Sequence, residues 1–512
     1  MRFLFPLFLL LSCLLALLPS CEPKEELVQT TGSLELQADT VLFDTVFTSI
    51  RTVTKRLWVY NRNAGAVRTD VSLAGTAGAT YSLVINGDAG SSAPGVLIRG
   101  KDSLLVLVRA VLGDNGTAAK PFLLADELLF RTNGGEQRVK LVAYGQNAYF
   151  HRGEVLTSNT TWAADKPHVI INAAAGPAGQ RYLVGVQVGP GATLRIPKGT
   201  RIYSHAGAYL LVEGRLLVND DFVPGTAATD TVRANDRNIV RFQGDRLEPF
   251  YAEIPGQWGG IVFTSSSRGN SIRYTEIKNA TFGALLNNPE GALVRPSLKL
   301  DNTVIRNISG ANLSFANATA KAGGGVISYS GDVTATNCLF TNCGEYAVLG
   351  VGGGTYDFNF CTFANFTPAF RRETASLTFT NAFETSTGAV KRFTSVSIRN
   401  SIVWGSFEDE LLVENFADYI TPTSIRNTVL RTKLYATVPQ VSGGSGVNLL
   451  NTDPLFRRTS LTSSRPDYRL LPASPAAAGK RGAIGPLPTP LVDLLNLRRD
   501  ATAPALGAYE SK

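Results

Sequence analysis

Along most of the chain apolar residues recur at every second position in short runs, and each run is closed by Gly, Asn, Asp or Pro. Period two puts alternate side chains on opposite faces of an extended strand, so the pattern predicts short strands and little helix. Between residues 33 and 148 the runs fall at 33–36, 55–60, 81–85, 95–98, 103–108 and 138–143. Turn clusters at Asn63-Ala64-Gly65, Asn86-Gly87-Asp88 and Asn133-Gly134-Gly135 separate them. About seven strands in such a span predict a two-sheet sandwich.

Beyond an Ala-, Gly- and Pro-rich stretch at 173–179 the chain aligns on itself. Tyr274-Thr275-Glu276-Ile277-Lys278-Asn279 matches Asn302-Thr303-Val304-Ile305-Arg306-Asn307, then Asn337-Cys338-Leu339-Phe340-Thr341-Asn342 and Phe360-Cys361-Thr362-Phe363-Ala364-Asn365. Asn400-Ser401-Ile402-Val403-Trp404-Gly405 and Asn427-Thr428-Val429-Leu430-Arg431-Thr432 continue the series, at intervals of 28, 35, 23, 40 and 27 residues. A unit in the twenties with insertions of varied length predicts a solenoid whose loops differ from coil to coil. The second and fourth positions of each phrase, such as Cys338 and Phe340, are expected to point inward. Asn takes the first position in four of six phrases and the sixth in four of six. Sharp corners need residues that tolerate left-handed backbone, and stacked asparagines can form hydrogen-bonded ladders.

The first twenty residues change the picture of where the protein works. They carry Arg2 and an apolar stretch from Phe3 to Leu18, too short and wrongly flanked for a spanning helix, which marks a secretory signal. Leu18-Pro19-Ser20-Cys21 resembles a bacterial lipobox, which implies acylation of Cys21. Two or three acyl chains hold a protein on a membrane, since each buried methylene contributes about 0.8 kcal/mol. Lys24, Glu25 and Glu26 resemble the signal that sends Bacteroidetes lipoproteins to the outer face of the outer membrane. The expectation is therefore a lipid-anchored, surface-exposed outer-membrane protein whose partners are the membrane and a glycan or another surface protein. The sequence ends at Lys512 with no sandwich resembling a type IX sorting domain, so the lipid is expected to be the retention device.

The remaining motifs sharpen the architecture. The segments at 59–65 and 130–145 resemble the Ig-like modules beside anchors in bacterial surface proteins, although the Cys-Trp-Cys core is absent. The six phrases resemble the right-handed parallel β-helix of the pectate-lyase-like superfold. With Gln257-Trp258-Gly259-Gly260, Asp453-Pro454-Leu455-Phe456 and Leu506-Gly507-Ala508-Tyr509, nearly the whole mature chain resembles the β-helix lipoproteins of Bacteroidetes. That family often has Gly and Pro between the Asp and Arg of the penultimate segment. Here Asp493 runs through Leu494-Leu495-Asn496-Leu497 to Arg498, which suggests a looser last turn. The expected organisation is a signal peptide at 1–20, a tether at 21–32, an Ig-like β-sandwich at 33–148, a linker and β-helix entry at 149–190, and a right-handed parallel β-helix with C-terminal cap at 191–512. The fold class is all-β.

Composition narrows the chemistry. The formal net charge is +8, but no block of like charges occurs, so nucleic acid is not an expected partner. The histidines, His151, His168 and His205, are far apart in sequence and no zinc spacing appears, so neither metal nor cofactor is expected. Cys338 and Cys361 fall in equivalent slots of neighbouring repeats and, with Cys343, read as buried thiols. A glycosidase needs two carboxylates facing one sugar. A Ca²⁺-dependent lyase needs an acidic cluster with a Lys or Arg base. The acids Glu276, Asp301, Asp332, Glu345 and Asp357 lie one per coil, and Glu408-Asp409-Glu410 reads as an exposed loop. Convergence of Asp332, Glu345 and Asp357 on Arg371-Arg372-Glu373 would make a polysaccharide lyase, the alternative reading, and a purely structural envelope protein is a third. Trp258, Trp404, Tyr356 and Phe370 are candidates for sugar stacking, with packing as the competing role. No catalytic set is assigned, and the leading expectation is non-catalytic recognition of a glycan or surface partner through the solenoid face and its inserted loops.

Overall fold

The computed structural model describes residues 27–48, 52–76, 80–113, 122–172, 184–224, 238–291, 294–309, 312–315, 318–321, 323–368, 372–385, 388–415, 423–442 and 448–511. Two compact units divide at Gln146/Asn147.

The first unit is the sandwich. One sheet runs Glu35–Leu36, Lys55–Tyr60, Ser103–Ala110, Tyr81–Ile85, Asp88–Gly90; the other runs Thr40–Phe47, Gly135–Gln146, Phe122–Thr132, Val67–Leu73, Ser92–Ile98. All neighbours are antiparallel except Thr40–Phe47, which lies parallel to Gly135–Gln146. Alternation works as expected: Leu57, Val59, Val106, Val108, Leu128, Phe130, Val139 and Leu141 are buried between the sheets. In place of a cystine the core holds aliphatics and a Phe43–Tyr81 ring pair, centroids 6.0 Å apart. The Asn61–Gly65 turn is pinned by buried Asn61, whose Nδ2 donates to Gly65 O (2.9 Å) and Ile98 O (3.0 Å).

The second unit is a right-handed parallel β-helix, wound with the hand that crossovers between parallel strands adopt. Among the described residues its strands stack into three parallel sheets of 11, 9 and 9 strands. The first coil comprises Tyr149–Arg152, Glu154–Leu156 and Thr160–Thr161, so strands begin inside the segment expected as linker and entry. The Ala-, Gly- and Pro-rich stretch at 173–179 lies outside the described residues.

All six repeat phrases fall on the first sheet and stack in the register of the self-alignment: Glu276, Val304, Leu339, Thr362, Ile402 and Val429 are successive partners. The fourth positions, Ile277, Ile305, Phe340, Phe363, Val403 and Leu430, form the interior, with Phe340 stacked on Phe363 at 4.9 Å. Every first position has left-handed backbone, φ between 42° and 54°, including Tyr274 and Phe360 where Asn is replaced. The ladders form at both corners. Asn342 donates to Asn307 (2.8 Å), Asn400 to Asn359 (2.9 Å) and Asn427 to Asn400 (2.9 Å). Where Phe360 takes the first position, the preceding Asn359 supplies the amide.

The C-terminal segment runs back along this ladder. Asn427 donates to Gly482 O (2.9 Å), Asn400 to Ile484 O (2.8 Å), Asn359 to Pro486 O (3.1 Å) and Asn302 to Asp493 O (2.6 Å). Phe456, Tyr468, Leu470, Leu494 and Leu506 cover the outer side of the first sheet at Leu339, Ile402 and Val429. The last turn is not loose. Asp493 Oδ1 accepts from Leu495 N and Leu497 N (2.8 Å each) and Oδ2 from Glu510 N (2.9 Å), bonds that replace the rigidity expected of a Gly-Pro pair.

Candidate functional site

Cys21, the expected site of acylation, and Lys24, Glu25 and Glu26, the expected export signal, lie outside the described residues, as do Phe370 and Arg371. Among the described residues no helix is long and apolar enough to cross a membrane.

The acids expected to gather for lyase chemistry are divided. Asp332 and Asp357 sit in adjacent coils of the third sheet, on Asp332–Thr336 and Gly354–Asn359. Asp332 pairs with Arg295 (3.1 Å) and Asp357 with Arg399. Glu345 occupies a different corner, the turn between Leu339–Cys343 and Tyr346–Val351, where it accepts from Thr374 Oγ1 (3.2 Å). Arg372 is sealed inside, its Nη2 bonded to Glu410 Oε1 (2.6 Å) and Asn365 O (2.9 Å), with both charged side chains fully buried. A guanidinium so enclosed meets no substrate. Glu276 is likewise committed, receiving Arg241 Nε (2.9 Å) and Arg306 Nε (2.7 Å), and Asp301 pairs with Lys299 (2.9 Å).

Of Glu408-Asp409-Glu410, expected as an exposed loop, Glu408 is exposed but Glu410 is not. Glu410 is buried and also accepts from Phe407 N (2.9 Å) and Ser376 Oγ (2.5 Å), while Asp409 caps Lys433 N and Leu434 N (2.7 Å each). The three thiols are free and buried as expected. Burial pushes Cys343 up to about 12, leaving it an unreactive thiol at neutral pH.

Of the stacking candidates, Trp258 and Tyr356 are core residues, and Trp258 Nε1 donates to Lys278 O (2.8 Å). Trp404 packs against the C-terminal segment. The accessible aromatics are others. On the outer side of the second sheet one register column runs Leu211, Val262, Leu285, Ile327, Leu349. These residues, with Phe282, form a cluster separate from the interior, and Tyr209, Leu211, Tyr329, Tyr346 and Val351 remain half-exposed along it. Beside the apolar column, two positions along each strand, lie Thr264, Asn287, Tyr329, Val351 and Thr380 in register. The face thus offers an apolar row, aromatic rims and hydrogen-bonding groups at strand spacing. Burial raises the hydroxyls of Tyr209, Tyr329 and Tyr346, which keeps them as donors at neutral pH.

Two antiparallel hairpins rise at the edges of this sheet. Asn312–Phe315 with Ala318–Lys321 precedes the second-sheet strand Gly324–Tyr329, and Ala382–Thr385 with Gly388–Lys391 follows Leu377–Thr380. The base of the second hairpin is fixed by Arg392, whose Nη2 reaches Glu290 O (2.9 Å) in the loop after Ala284–Asn287. Sequence periodicity marked both insertions but not these tyrosines, because it does not tell which side of a glycine-rich strand faces out.

No family model matches the chain, and no curated protein matches it. Solved structures similar to parts of it include a PapD-like domain of human CEP192 (11% identity, 25% of this chain and 91% of that chain, TM-score 0.17). A family 123 glycoside hydrolase from Clostridium perfringens shares 8% identity over 24% of this chain and 30% of that one, TM-score 0.17. The catalytic domain of a GH87 α-1,3-glucanase in complex with nigerose shares 11% identity over 73% of this chain and 76% of that chain, TM-score 0.12. At these TM-scores the likenesses carry no argument about what the chain does.

Proposed function

We propose that the protein is a non-catalytic lipoprotein, held in the outer membrane through Cys21 and exposed at the cell surface, that recognises a glycan. The observation that carries the reading is the outer face of the second sheet, where half-exposed Tyr209, Tyr329 and Tyr346 flank an apolar column between two hairpins. Sugar rings stack their C–H faces on aromatic rings and satisfy their hydroxyls with adjacent polar groups. A stacked-strand platform holds such rows rigidly, and loops on it set specificity. The split of Asp332, Asp357 and Glu345, and the burial of Arg372, favour binding over lyase chemistry.

Replacing each hairpin, 312–321 and 382–391, by a short Gly-Ser link is the direct test. Binding to glycan and to intact cells is expected to fall at least about tenfold, the loss of a single good contact of ~1.4 kcal/mol, with the β-sheet circular dichroism unchanged. Unchanged binding in both variants would remove the hairpins from the site.

A further inference from the structure

Two histidines separated by 17 residues in sequence meet on the first sheet. Tyr149 is the partner of His168 and Ile170 the partner of His151, which makes the two histidines diagonal neighbours on one face. His151 Nε2 lies 2.8 Å from His168 Nδ1, and His168 Nε2 lies 2.7 Å from Ala163 O. On its other side His151 Nδ1 contacts Glu154 Oε2. The Trp162 indole covers both imidazoles, with centroids at 4.5 and 4.3 Å and planes within 13°.

For a neutral His168, hydrogen-bond parity fixes the protons in this chain. A carbonyl only accepts, so His168 Nε2 carries hydrogen and, in the neutral ring, Nδ1 is an acceptor. His151 Nε2 must then donate to it. A neutral His151 would turn a bare Nδ1 towards a carboxylate oxygen, two acceptors in contact. One further proton therefore resides between His151 and Glu154, on one or the other.

We infer that Glu154, His151 and His168 form a proton-sharing lock between the first two coils, closed by a single proton and opened when a second one is taken up from solvent at His168. That proton lands on His168 Nδ1. The ring becomes a cation with hydrogen on both nitrogens, Nδ1–H then opposes His151 Nε2–H, and the bond between the rings breaks. The indole is left stacked on a charged His168 ring. No oxidant or co-reactant is needed.

The groups facing the pair are few. Glu154 faces His151, and Asp165 acts on His168 while also accepting from Tyr149 (3.2 Å). Lys166 lies over the Tyr149 ring at 5.5 Å. Beside the histidines, Arg152 is the remaining charged side chain of their own strands Tyr149–Arg152 and His168–Ile171. Of the strands packed against these, Val184–Val188 has no charged side chain and Arg201–Ser204 has Arg201 and Tyr203. His205 is bonded to Asp245 (2.6 Å).

Burial holds His168 down to about 4, from an ordinary 6.5. The depressed value means the open form binds the proton first. Closure is favoured most above pH 6.5 and is lost as pH falls through 4, the closed-to-open ratio dropping roughly 300-fold in all.

The test is an acid titration of the full protein labelled with ¹⁵N-histidine, read with amide exchange of the strands Tyr149–Arg152 and His168–Ile171. His168 is expected to show the Nε2–H tautomer, to stay neutral well below pH 6, and to lose strand protection as it charges. In His168→Phe, which keeps a ring for the indole, that acid step disappears. Titration of His168 near 6.5, an Nδ1–H tautomer, or strand protection that ignores its charge overturns the lock. The wild-type titration decides even if the variant does not fold.

Discussion

Replacing Glu410 by alanine is expected to lower the stability of the β-helix by about 3–5 kcal/mol, because it leaves the Arg372 guanidinium buried without its counter-ion. Both side chains are fully enclosed, so no solvent screening softens the loss. Glu410 also ties three backbone or side-chain donors, Phe407 N, Ser376 N and Ser376 Oγ, which lose their acceptor together. Chemical denaturation followed by circular dichroism measures the change. A Glu410→Ala protein as stable as wild type would show that water reaches Arg372. Replacing both members by apolar residues should cost less than removing one, since a buried ion pair is weak evidence of net stabilisation while a broken one is strongly destabilising.

A comparable effect is expected at the opposite edge of the first sheet. Arg499→Ala should cost about 3–5 kcal/mol and free the C-terminal segment to proteolysis. The Arg499 side chain is fully buried. It donates to Val492 O (3.0 Å), Ala505 O (3.0 Å), Gly507 O (2.8 Å) and Asn337 Oδ1 (3.0 Å). Its guanidinium lies 4.2 Å over the Phe360 ring. Burial pulls Arg499 down to about 10, still cationic at neutral pH, and burial raises the carboxyls of Asp493 and Glu510. Without the arginine these two carboxyls keep their backbone donors but lose the buried cation that both face. Arg499→Lys keeps a charge and loses the planar fork, so it should fall between alanine and wild type. Limited proteolysis that finds the segment 481–511 equally protected in Arg499→Ala would contradict this keystone role.

How much of this was legible in the sequence depends on how local the determinant is. Six of the 11 strands of the first sheet were legible to the residue, because each of those coils repeats a backbone requirement, left-handed φ at the first position, and an inward apolar fourth position. Even Tyr274 and Phe360 kept the register. The strands Thr40–Phe47, Val67–Leu73 and Phe122–Thr132 went unread; in the last two a buried polar residue, Thr69 and Asp126, takes an inward position and interrupts the apolar period. The second sheet was harder. Gly260 and Gly325 lie in its strands and Gly283 just before Ala284–Asn287; an added Cβ there would lie 2.2–2.7 Å from backbone oxygens of Phe282, Ala347 and Gly325, and glycine hides the period-two pattern. Contacts made by stacking were illegible: Glu410 to Arg372 and His151 to His168 join residues whose separation depends on loop lengths. For the same reason an acidic triplet was read as exposed when one member is among the most buried charges of the chain.

The central claim, recognition without turnover, is tested most directly by a glycan array probed with residues 27–512. The screen is run once with Ca²⁺ and once with chelator, while ultraviolet absorbance monitors release of unsaturated sugar. The account predicts binding in both conditions with no absorbing product, and weaker binding when Tyr329 and Tyr346 are replaced by alanine. Accumulation of unsaturated product would contradict it and return attention to the acids of the third sheet.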